Sequence, residues 1–434
     1  MFEQLLADQN SHWQGSKLSV GITRELLVEI TSSINAKQII VITGIRRCGK
    51  SIVLRQIQEQ LLASGIPAKN ILFLNVEHPL LDEYRQKVKY LDQLFQEFLS
   101  LVLPEGKTFF FLDEVQFFEH WQVFVKAQYE TGKVKFFLTG SNSWLLSAEY
   151  ASLLSGRTIH LELFPFSFRE YLRAKEIEGT SPLTIATKQR EIIQHLPHFL
   201  SWGGFPEVVF SSDDGVRREL LTNYYQNILL RDIAPRFKVA NSREMQELAR
   251  YLFSHIGKPF SYAQLGKTIG ISDKTVKDYL HYFSQAYLLF EVNQYFPSLK
   301  RQMANVKKVY AGDNGFAEAL GFRFSEDKGR FMENAVFLEL KRRKKEIYYA
   351  RNKQECDFIV KEGRKITAAI QVCAALTSEN RKREIAGLQE AMQAFHLKKG
   401  LILTLEQEEK IGNIAVLPLW KWLLQKPKKN YFIF

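Results

Sequence analysis

The sequence predicts an α/β protein whose first third forms a parallel sheet flanked by helices. Short apolar runs alternate there with segments of helical periodicity, and the runs are continuously apolar, which is typical of strands buried on both faces. The predicted strands cover residues 38–43, 71–76, 108–112 and 135–139. The chain has 434 residues, more than one hydrophobic core usually organises, so further domains are expected.

Composition excludes a disordered chain and favours an acidic partner. Hydrophobic residues make up 46% of the sequence, enough for folded cores, and the formal net charge of +12 would attract polyanions such as nucleic acid. A basic surface without such a partner is the alternative. The cysteines Cys48, Cys356 and Cys373 show no spacing for zinc or a disulfide framework. With no signal peptide or membrane-spanning stretch, we expect a cytoplasmic protein without membrane contact.

The stretch "GIRRCGKS" predicts a phosphate-binding loop. It fits G-x-x-x-x-G-K-[ST] without a mismatch, between the strand and the helical pattern that this loop requires. Backbone N–H groups and the helix dipole would face the phosphates. Lys50 is expected to reach the β- and γ-phosphates of ATP, and Ser51 to bind Mg²⁺. The residues expected around the nucleotide are Gly44, Ile45, Arg46, Arg47, Cys48, Gly49, Lys50, Ser51 and Ile52.

Two adjacent acids follow the third predicted strand in "TFFFLDEVQFF". They would lie at the C-terminal edge of a buried sheet, where open α/β sheets place their ligands. We expect Asp113 to hold Mg²⁺ and Glu114 to position or deprotonate the attacking water. A solvated acid pair on a surface turn is the alternative. The next strand ends in "LTGSNS", where Ser141 or Asn142 would contact the γ-phosphate, cap the following helix, or do both.

These segments resemble the prokaryotic AAA+-type ATPases with an AAA_14-like core and a C-terminal domain of unknown function. The resemblance runs along nearly the whole chain and rests on "GIRRCGKS", "FFFLDEVQ", "LTGSNS", "LLSGRTIHLELFPFSFREY", "GGFPEV" and "LLRDI". It implies an ATPase core, a helical lid, a winged-helix segment and a domain similar to PD-(D/E)xK nucleases. It also implies that Arg157, or as a weaker candidate Arg231, acts on the γ-phosphate. A structural ion pair is the alternative for both.

The middle of the chain shows a helix-turn-helix pattern in residues 261–283. Apolar residues recur at helical spacing on both sides of Gly270, which breaks the first helix. In DNA-binding versions the second helix enters the major groove. The residues that would then face DNA are Ser272, Lys274, Thr275 and Lys277. A packing role without DNA is the alternative, because neighbouring acids dilute the positive face.

The tail carries part of a nuclease-like set of acids. A PD-(D/E)xK site needs two acids and then an acid-x-lysine on the next strand. Glu333 and Asp357 match the first two positions, but Gln371 and Cys373 occupy the third element. Gln371 brings no charge and Cys373 no cation, so Mg²⁺ would be held weakly. We therefore expect a nuclease-like fold without cleavage, which binds nucleic acid or a partner protein.

The sequence thus predicts four domains with distinct roles. They are a P-loop ATPase core (1–165), a helical lid (166–240), a winged helix-turn-helix (241–320) and a nuclease-like α/β domain (321–434). The expected function is ATP binding and slow hydrolysis that switches the C-terminal modules between two arrangements. The alternatives are an ATP-gated DNA-binding regulator, an ATP-dependent DNA nuclease and a protein-remodelling ATPase. An arginine that acts across subunits would require an oligomer, which the sequence leaves open.

Overall fold

The computed structural model describes residues 2–143, 153–177, 181–321 and 328–425. The chain forms two compact units, Met1–Phe164 and Pro165–Phe434. This division adjoins the predicted end of the ATPase core at residue 165. The predicted boundaries after residues 240 and 320 fall inside the second unit. In the described part of the chain, no helix is both long and apolar enough to cross a lipid bilayer.

A five-stranded parallel sheet forms the centre of the first unit. Its strands are β1 (Ile39–Thr43), β2 (Ile71–Asn75), β3 (Thr108–Asp113), β4 (Val134–Gly140) and β5 (Thr158–Glu162). The order across the sheet is β2-β3-β4-β1-β5, with parallel pairing throughout. The four predicted strands are present. Sequence reasoning missed β5, because this edge strand carries polar residues and is only partly buried.

Helices cover both faces of this sheet. They are α1 (Glu3–Gln9), α2 (Leu26–Ser33), α3 (Lys50–Ala63), α4 (Lys89–Val102) and α5 (Trp121–Glu130). The neighbouring Phe110 and Phe111 of β3 point to opposite faces. Phe110 stacks on Phe95 of α4, and Phe111 stacks on Phe137 of β4. Burial on both faces explains why the strand sequences are continuously apolar.

The N-terminal segment protects the edge strand β2. Asn10 exchanges two hydrogen bonds with the backbone of Phe73, at 2.6 and 2.9 Å. Gln9 accepts the backbone N–H of Asn75, and the indole of Trp13 donates to the carbonyl of Ile71. These side chains occupy backbone groups that an exposed edge would otherwise offer to another strand.

The second unit begins with helices. They are α6 (Phe168–Ala174), α7 (Pro182–Trp202), α8 (Pro206–Phe210) and α9 (Asp214–Asn227), which continues in a π-helical turn (Ile228–Ile233). A capping box of Ser167 and Glu170 starts α6. The buried Arg169 donates to Glu339 at 3.0 Å. The motif "SFREY" thus contributes helix capping and packing within this unit.

A small helical and antiparallel-strand module follows. Its elements are α10 (Ser242–Phe253), β6 (Pro259–Phe260), α11 (Tyr262–Ile269), α12 (Asp273–Gln285), β7 (Leu289–Asn293), α13 (Leu299–Ala304) and β8 (Lys307–Ala311). The strand order is β6-β8-β7. As predicted, α11 ends at Gly270, which adopts the left-handed conformation that favours glycine. The two helices of the predicted helix-turn-helix are therefore present.

The last part of the second unit contains a six-stranded mixed sheet. Its elements are α14 (Asn314–Leu320), α15 (Lys328–Arg342), β9 (Glu346–Arg351), β10 (Glu355–Glu362), β11 (Lys365–Val372), α16 (Arg381–Ala394), β12 (Gly400–Thr404), β13 (Glu409–Ile411), β14 (Ile414–Pro418) and α17 (Leu419–Leu424). The strand order is β13-β14-β12-β11-β10-β9.

Buried polar contacts explain why the second unit does not divide at residues 240 and 320. Asn334 of α15 exchanges hydrogen bonds with the backbone of Ala311 in β8 and donates to Asn314, which donates to the carbonyl of Leu200 in α7. Asp313 accepts the backbone N–H of Gly204 at 2.8 Å. Segments assigned by sequence to three domains therefore share one buried network.

We predict that Gly203→Ala strongly destabilises the second unit. Gly203 has a φ of 73°, and an added Cβ would lie 1.7 Å from a carboxylate oxygen of Asp313. The expected loss is about 2–4 kcal/mol, because left-handed strain adds to disruption of a buried hydrogen-bonded carboxylate. Urea unfolding would measure it. Gly363→Ala is the control, because Gly363 also has a positive φ but open space around it. Equal losses for both variants would contradict this account.

Candidate nucleotide-binding site

The sheet brings the predicted phosphate loop and the predicted acids to one edge. β1 and β3 flank β4, and all run in the same direction, so their C-terminal ends lie at the same edge. Residues 44–51 follow β1 directly, and Asp113 is the last residue of β3. The loop and the acid pair are therefore neighbours in space although more than sixty positions separate them in the sequence.

The backbone conformation of the phosphate loop is suited to bind an anion. Arg47 and Gly49 adopt left-handed conformations with φ of 69° and 101°, and α3 starts at Lys50. Alternating backbone conformations before a helix start turn successive N–H groups toward one concave surface. Gly44 cannot carry a side chain, because a Cβ would lie 2.1 Å from the carbonyl oxygen of Leu163.

Lys50 joins the loop to the acid pair. Its buried ammonium lies 3.2 Å from a carboxylate oxygen of Glu114 and donates to the carbonyl of Gly44, also at 3.2 Å. Burial would lower the pKa of Lys50, but the charges of Glu114 and Asp113 raise it. The ammonium therefore stays charged.

Glu114 is held as a carboxylate by two neighbours. Besides Lys50, the side-chain amide of Gln116 donates to Glu114 at 2.6 Å and contacts the hydroxyl of Ser141 at 3.1 Å. Burial would raise the pKa of Glu114, but Lys50 and Gln116 outweigh burial and lower it. Glu114 also adopts a left-handed backbone with φ 55°, which is strained for a non-glycine residue and frequent at functional sites.

Asp113 lies beside a hydroxyl group on each side. It accepts a hydrogen bond from Thr139 at 2.5 Å and another from the side chain of Ser51. Burial and the charge of Glu114 raise the pKa of Asp113. A serine hydroxyl at the start of α3 and a carboxylate at the end of β3 are the hard oxygen ligands that Mg²⁺ prefers. The predicted metal ligands therefore lie together and fit the ion.

Three residues that sequence reasoning missed support this site. Arg24 is buried and donates to the carbonyls of Cys48, at 2.7 Å, and Phe164, at 2.6 Å, which holds the loop from the N-terminal segment. Thr139 accepts the backbone N–H of Glu114 at 2.9 Å and bonds Asp113, and Gln116 bonds Glu114. Gln116 and Thr139 belong to the quoted motifs "FFFLDEVQ" and "LTGSNS", whereas no sequence pattern singles out Arg24.

The polar residues after β4 are buried. Ser141 reaches the acid pair through Gln116, and Asn142 is 5% exposed. The expected contact of Asn142 with the γ-phosphate stays a prediction. Cys48 is buried within the loop and points to the carbonyl of Leu163. Burial raises the pKa of its thiol, which makes Cys48 a packing residue of the loop.

The predicted action of Arg157 on the γ-phosphate stays a prediction, and the structure places this residue far from the phosphate loop of its own chain. Arg157 precedes β5, and its carbonyl accepts the N–H of Ile39 at the start of β1. This edge is opposite the phosphate loop, about 16 Å away for a five-residue strand. The guanidinium instead pairs with Glu130 at 2.8 Å. Arg231 is exposed on the π-helical turn of the second unit.

The residues predicted to face DNA lie at the start of α12. Ser272 is the N-cap of α12, and its hydroxyl accepts the N–H of Thr275 at 3.0 Å and contacts the Thr275 hydroxyl at 2.8 Å. Both hydroxyls are therefore engaged in capping. Lys274 and Lys277 are exposed on the same helix.

The nuclease-like positions come together in the second unit. Glu333 lies on α15, Asp357 on β10 and Gln371 on β11. The side-chain Oε1 of Gln371 accepts a hydrogen bond from the backbone N–H of Asp357 at 3.2 Å, and its Nε2 donates to Glu384 at 2.7 Å. Cys373 follows β11 and is buried. The side chain of Gln371 thus links β11 to the neighbouring strand β10 and to α16.

The loop, the acid pair and the strand order define a P-loop domain of the AAA type. Residues 36–172 match the AAA_14 family, described as an AAA domain, in agreement with the expected core. Residues 193–327 and 328–422 match two families described as domains of unknown function, DUF8612 and DUF4143. The boundary between these matches lies near the predicted boundary at 320.

Two relatives resemble the chain over almost its whole length. An uncharacterized protein of Methanocaldococcus jannaschii, MJ1544, is 30% identical over 98% of this chain and 95% of its own length. An uncharacterized protein of Haemophilus influenzae is 32% identical over 89% of this chain and 94% of its own length. The chain therefore belongs to the family of these two proteins.

Among solved structures, Aeropyrum pernix ORC1 in complex with DNA is similar to the chain with a TM-score of 0.30 and 13% identity. The similarity covers 70% of this chain and 92% of that protein.

We predict that Arg157→Ala leaves the nucleotide affinity of a single chain within about twofold of the parent, because Arg157 lies at the opposite sheet edge. Titration with a fluorescent ATP analogue at a concentration where the protein is monomeric would measure this. Lys126→Ala on α5 serves as a control for loss of a cation from the same region. A tenfold or greater loss of affinity for Arg157→Ala alone would contradict the geometry.

Proposed function

We propose that the chain binds ATP with Mg²⁺ at the phosphate loop, hydrolyses ATP slowly, and uses the nucleotide state to switch its C-terminal modules. The observation that carries this proposal is the contact of Lys50 with Glu114, next to the pair of Ser51 and Asp113. A lysine, a serine and two carboxylates, which triphosphate chemistry uses, therefore lie at one sheet edge.

The arrangement suggests a role for each side chain. Ser51 and Asp113 would hold Mg²⁺, which neutralises developing charge on the phosphates when bound. The ammonium of Lys50 would leave Glu114 for the phosphates. Glu114, ionised and still held by Gln116, would then accept a proton from water or orient it. Slow turnover is consistent with a base that is engaged in an ion pair before nucleotide arrives.

The first test separates binding from hydrolysis. Lys50→Ala should abolish ATP binding, because it removes the buried cation of the loop. Glu114→Gln should retain binding and lower phosphate release by about 10²–10⁴-fold, the usual contribution of a general base. Fluorescence titration and a phosphate-release assay would measure the two effects.

Matched controls are available on the surface of the same unit. Lys69→Ala changes a half-buried lysine that pairs with Glu105, and Glu119→Gln changes an exposed acid; both lie outside the site and should leave both quantities unchanged. Hydrolysis by Glu114→Gln at the parental rate would refute the role of Glu114. Undiminished ATP binding by Lys50→Ala would refute the site itself.

We further propose that residues 242–311 form a winged-helix module that binds DNA. The order of helix, strand, two helices, strand, short helix and strand supports this proposal, with α12 as the helix that enters the major groove. Lys274 and Lys277 are exposed on α12. Because the hydroxyls of Ser272 and Thr275 already cap this helix, the lysines would contribute mainly phosphate contacts.

The DNA proposal predicts a salt-dependent effect. Lys274→Ala combined with Lys277→Ala should weaken DNA binding and lower the slope of log affinity against log salt by about 1.8, because each lost phosphate contact contributes about 0.9. Fluorescence anisotropy with duplex DNA at several salt concentrations would measure the slope. The control pair Lys365→Ala and Lys410→Ala removes the same charge from exposed positions elsewhere. Equal slopes for the two double variants would contradict the assignment.

Two alternatives remain distinct in these assays. An ATP-gated DNA-binding regulator would show nucleotide-dependent DNA affinity without measurable phosphate release. An ATP-dependent nuclease would cleave plasmid DNA and lose this activity on Asp357→Ala. A cytoplasmic location, a partner protein and an oligomeric state stay predictions.

A further inference from the structure

The second unit contains a cleft of about 580 Å³ whose wall is crowded with acids. Its lining includes Glu333, Glu355, Asp357 and Glu384, from two helices and one strand. Three of these carboxylates converge on one point, where Glu333 and Asp357 are buried and Glu355 is partly exposed. Buried carboxylates in contact require a counter-charge, because burying an unpaired charge is costly.

The counter-charge is Lys308 of β8. Its ammonium lies 2.7 Å from Glu355, 2.9 Å from Glu333 and 3.2 Å from Asp357. The side chain is only 1% exposed. An ammonium group has three N–H donors, so these three carboxylates use all of them. Lys308 comes from the strand that pairs with β6 and β7, and not from the sheet that carries Asp357.

The carboxylate oxygens are also engaged by other donors. The hydroxyl of Tyr310 donates to the same oxygen of Glu333 that accepts Lys308, at 2.5 Å. The backbone N–H of Val372 donates to the second oxygen of Asp357 at 2.9 Å. Lys308 and Tyr310 are two positions apart on β8 and therefore face the same side. Groups of the protein thus already bind one oxygen of Glu333 and both oxygens of Asp357.

A divalent ion does not fit beside this lysine. Mg²⁺ binds carboxylate oxygens at about 2.0–2.1 Å and would have to share these oxygens with a buried positive charge. In the residues that the structure describes, no three His, Cys, Asp or Glu side chains are arranged to hold a metal.

We propose that the ammonium of Lys308 takes the place of a divalent metal in this acidic cleft. As folded, the site holds a resident lysine and binds no Mg²⁺ or Mn²⁺. The carboxylates and Lys308 instead join β8 to α15 and β10. Cys373 stands where the nuclease pattern has a lysine, whereas Lys308 brings a lysine to the same acids from β8. This inference does not depend on the nucleotide site.

Removal of Lys308 should convert the cleft into a metal site. In Lys308→Met the acids lose their counter-charge and can turn toward a shared cation, so the variant should bind about one additional Mn²⁺ per chain, given the preference of such ions for carboxylate oxygens. Electron paramagnetic resonance of free Mn²⁺ would measure this without ATP. All proteins would carry Asp113→Asn, so that the predicted metal ligand of the nucleotide site does not contribute.

Controls assign the additional ion to the cleft. Lys307→Met removes the neighbouring lysine, which donates to the carbonyls of Met303 and Asn305, and should add no site. Adding Asp357→Asn to Lys308→Met should abolish the new site. The proposal is overturned if folded Lys308→Met gains no Mn²⁺, or if the protein with Lys308 intact already binds Mn²⁺ in a manner that Asp357→Asn abolishes.

A folding measurement covers the case in which Lys308→Met unfolds. Mn²⁺ should then restore its circular dichroism spectrum, whereas K⁺ at equal ionic strength should not, because only the divalent ion replaces the lost counter-charge at the cleft. Rescue should again require Asp357. Failure of Mn²⁺ to restore folding would also overturn the proposal.

Discussion

Parallel pairing of β1 with β4 and of β4 with β3 is the constraint on which the nucleotide site depends. It places the ends of β1 and β3 one strand apart at the same edge, so a loop and an acid pair distant in sequence come into contact. The ion pair of Lys50 and Glu114 is the direct result. The same constraint keeps Arg157 away from the phosphate loop of its own chain. β5 pairs with β1 from its first residue, so Arg157 lies at the opposite edge of the sheet.

The two units each contain a buried lysine among carboxylates, but the two lysines differ in their freedom to change partners. Lys50 contacts one carboxylate and loop carbonyls, so an arriving phosphate can replace these contacts. Lys308 contacts three carboxylates and has no donor left. The first arrangement suits an exchange of ligands, whereas the second suits a permanent joint between strands and a helix.

The sequence predicted which loop and which acids lie together, because their signals are local. The residues 44–51 and the buried strand before Asp113 each carry their own pattern, and parallel sheet geometry brings them together. Side chains that depend on long-range contacts were not predictable. Arg24 meets Cys48 only after the N-terminal segment packs, and Lys308 meets Glu333 and Asp357 only when β8 packs against α15 and β10.

The same reasoning applies to the contacts between the predicted lid, winged-helix and nuclease-like segments, which lie within one compact unit. Sequence patterns indicate where helices and strands begin and end. From these patterns we predicted domain boundaries after residues 240 and 320. These patterns do not show that Asn334 forms hydrogen bonds with both Ala311 and Asn314. They also do not show that Asp313 accepts a hydrogen bond from the N–H of Gly204. The neighbouring sequence does not distinguish a polar residue in a buried hydrogen-bond network from a polar residue on the surface.

Hydrogen–deuterium exchange with and without a slowly hydrolysed ATP analogue and Mg²⁺ tests the central claim most directly. If the backbone N–H groups of residues 45–52 bind the phosphates, their exchange should slow on nucleotide binding, together with that of the segment after Asp113. Nucleotide binding that leaves exchange in both segments unchanged would contradict the account.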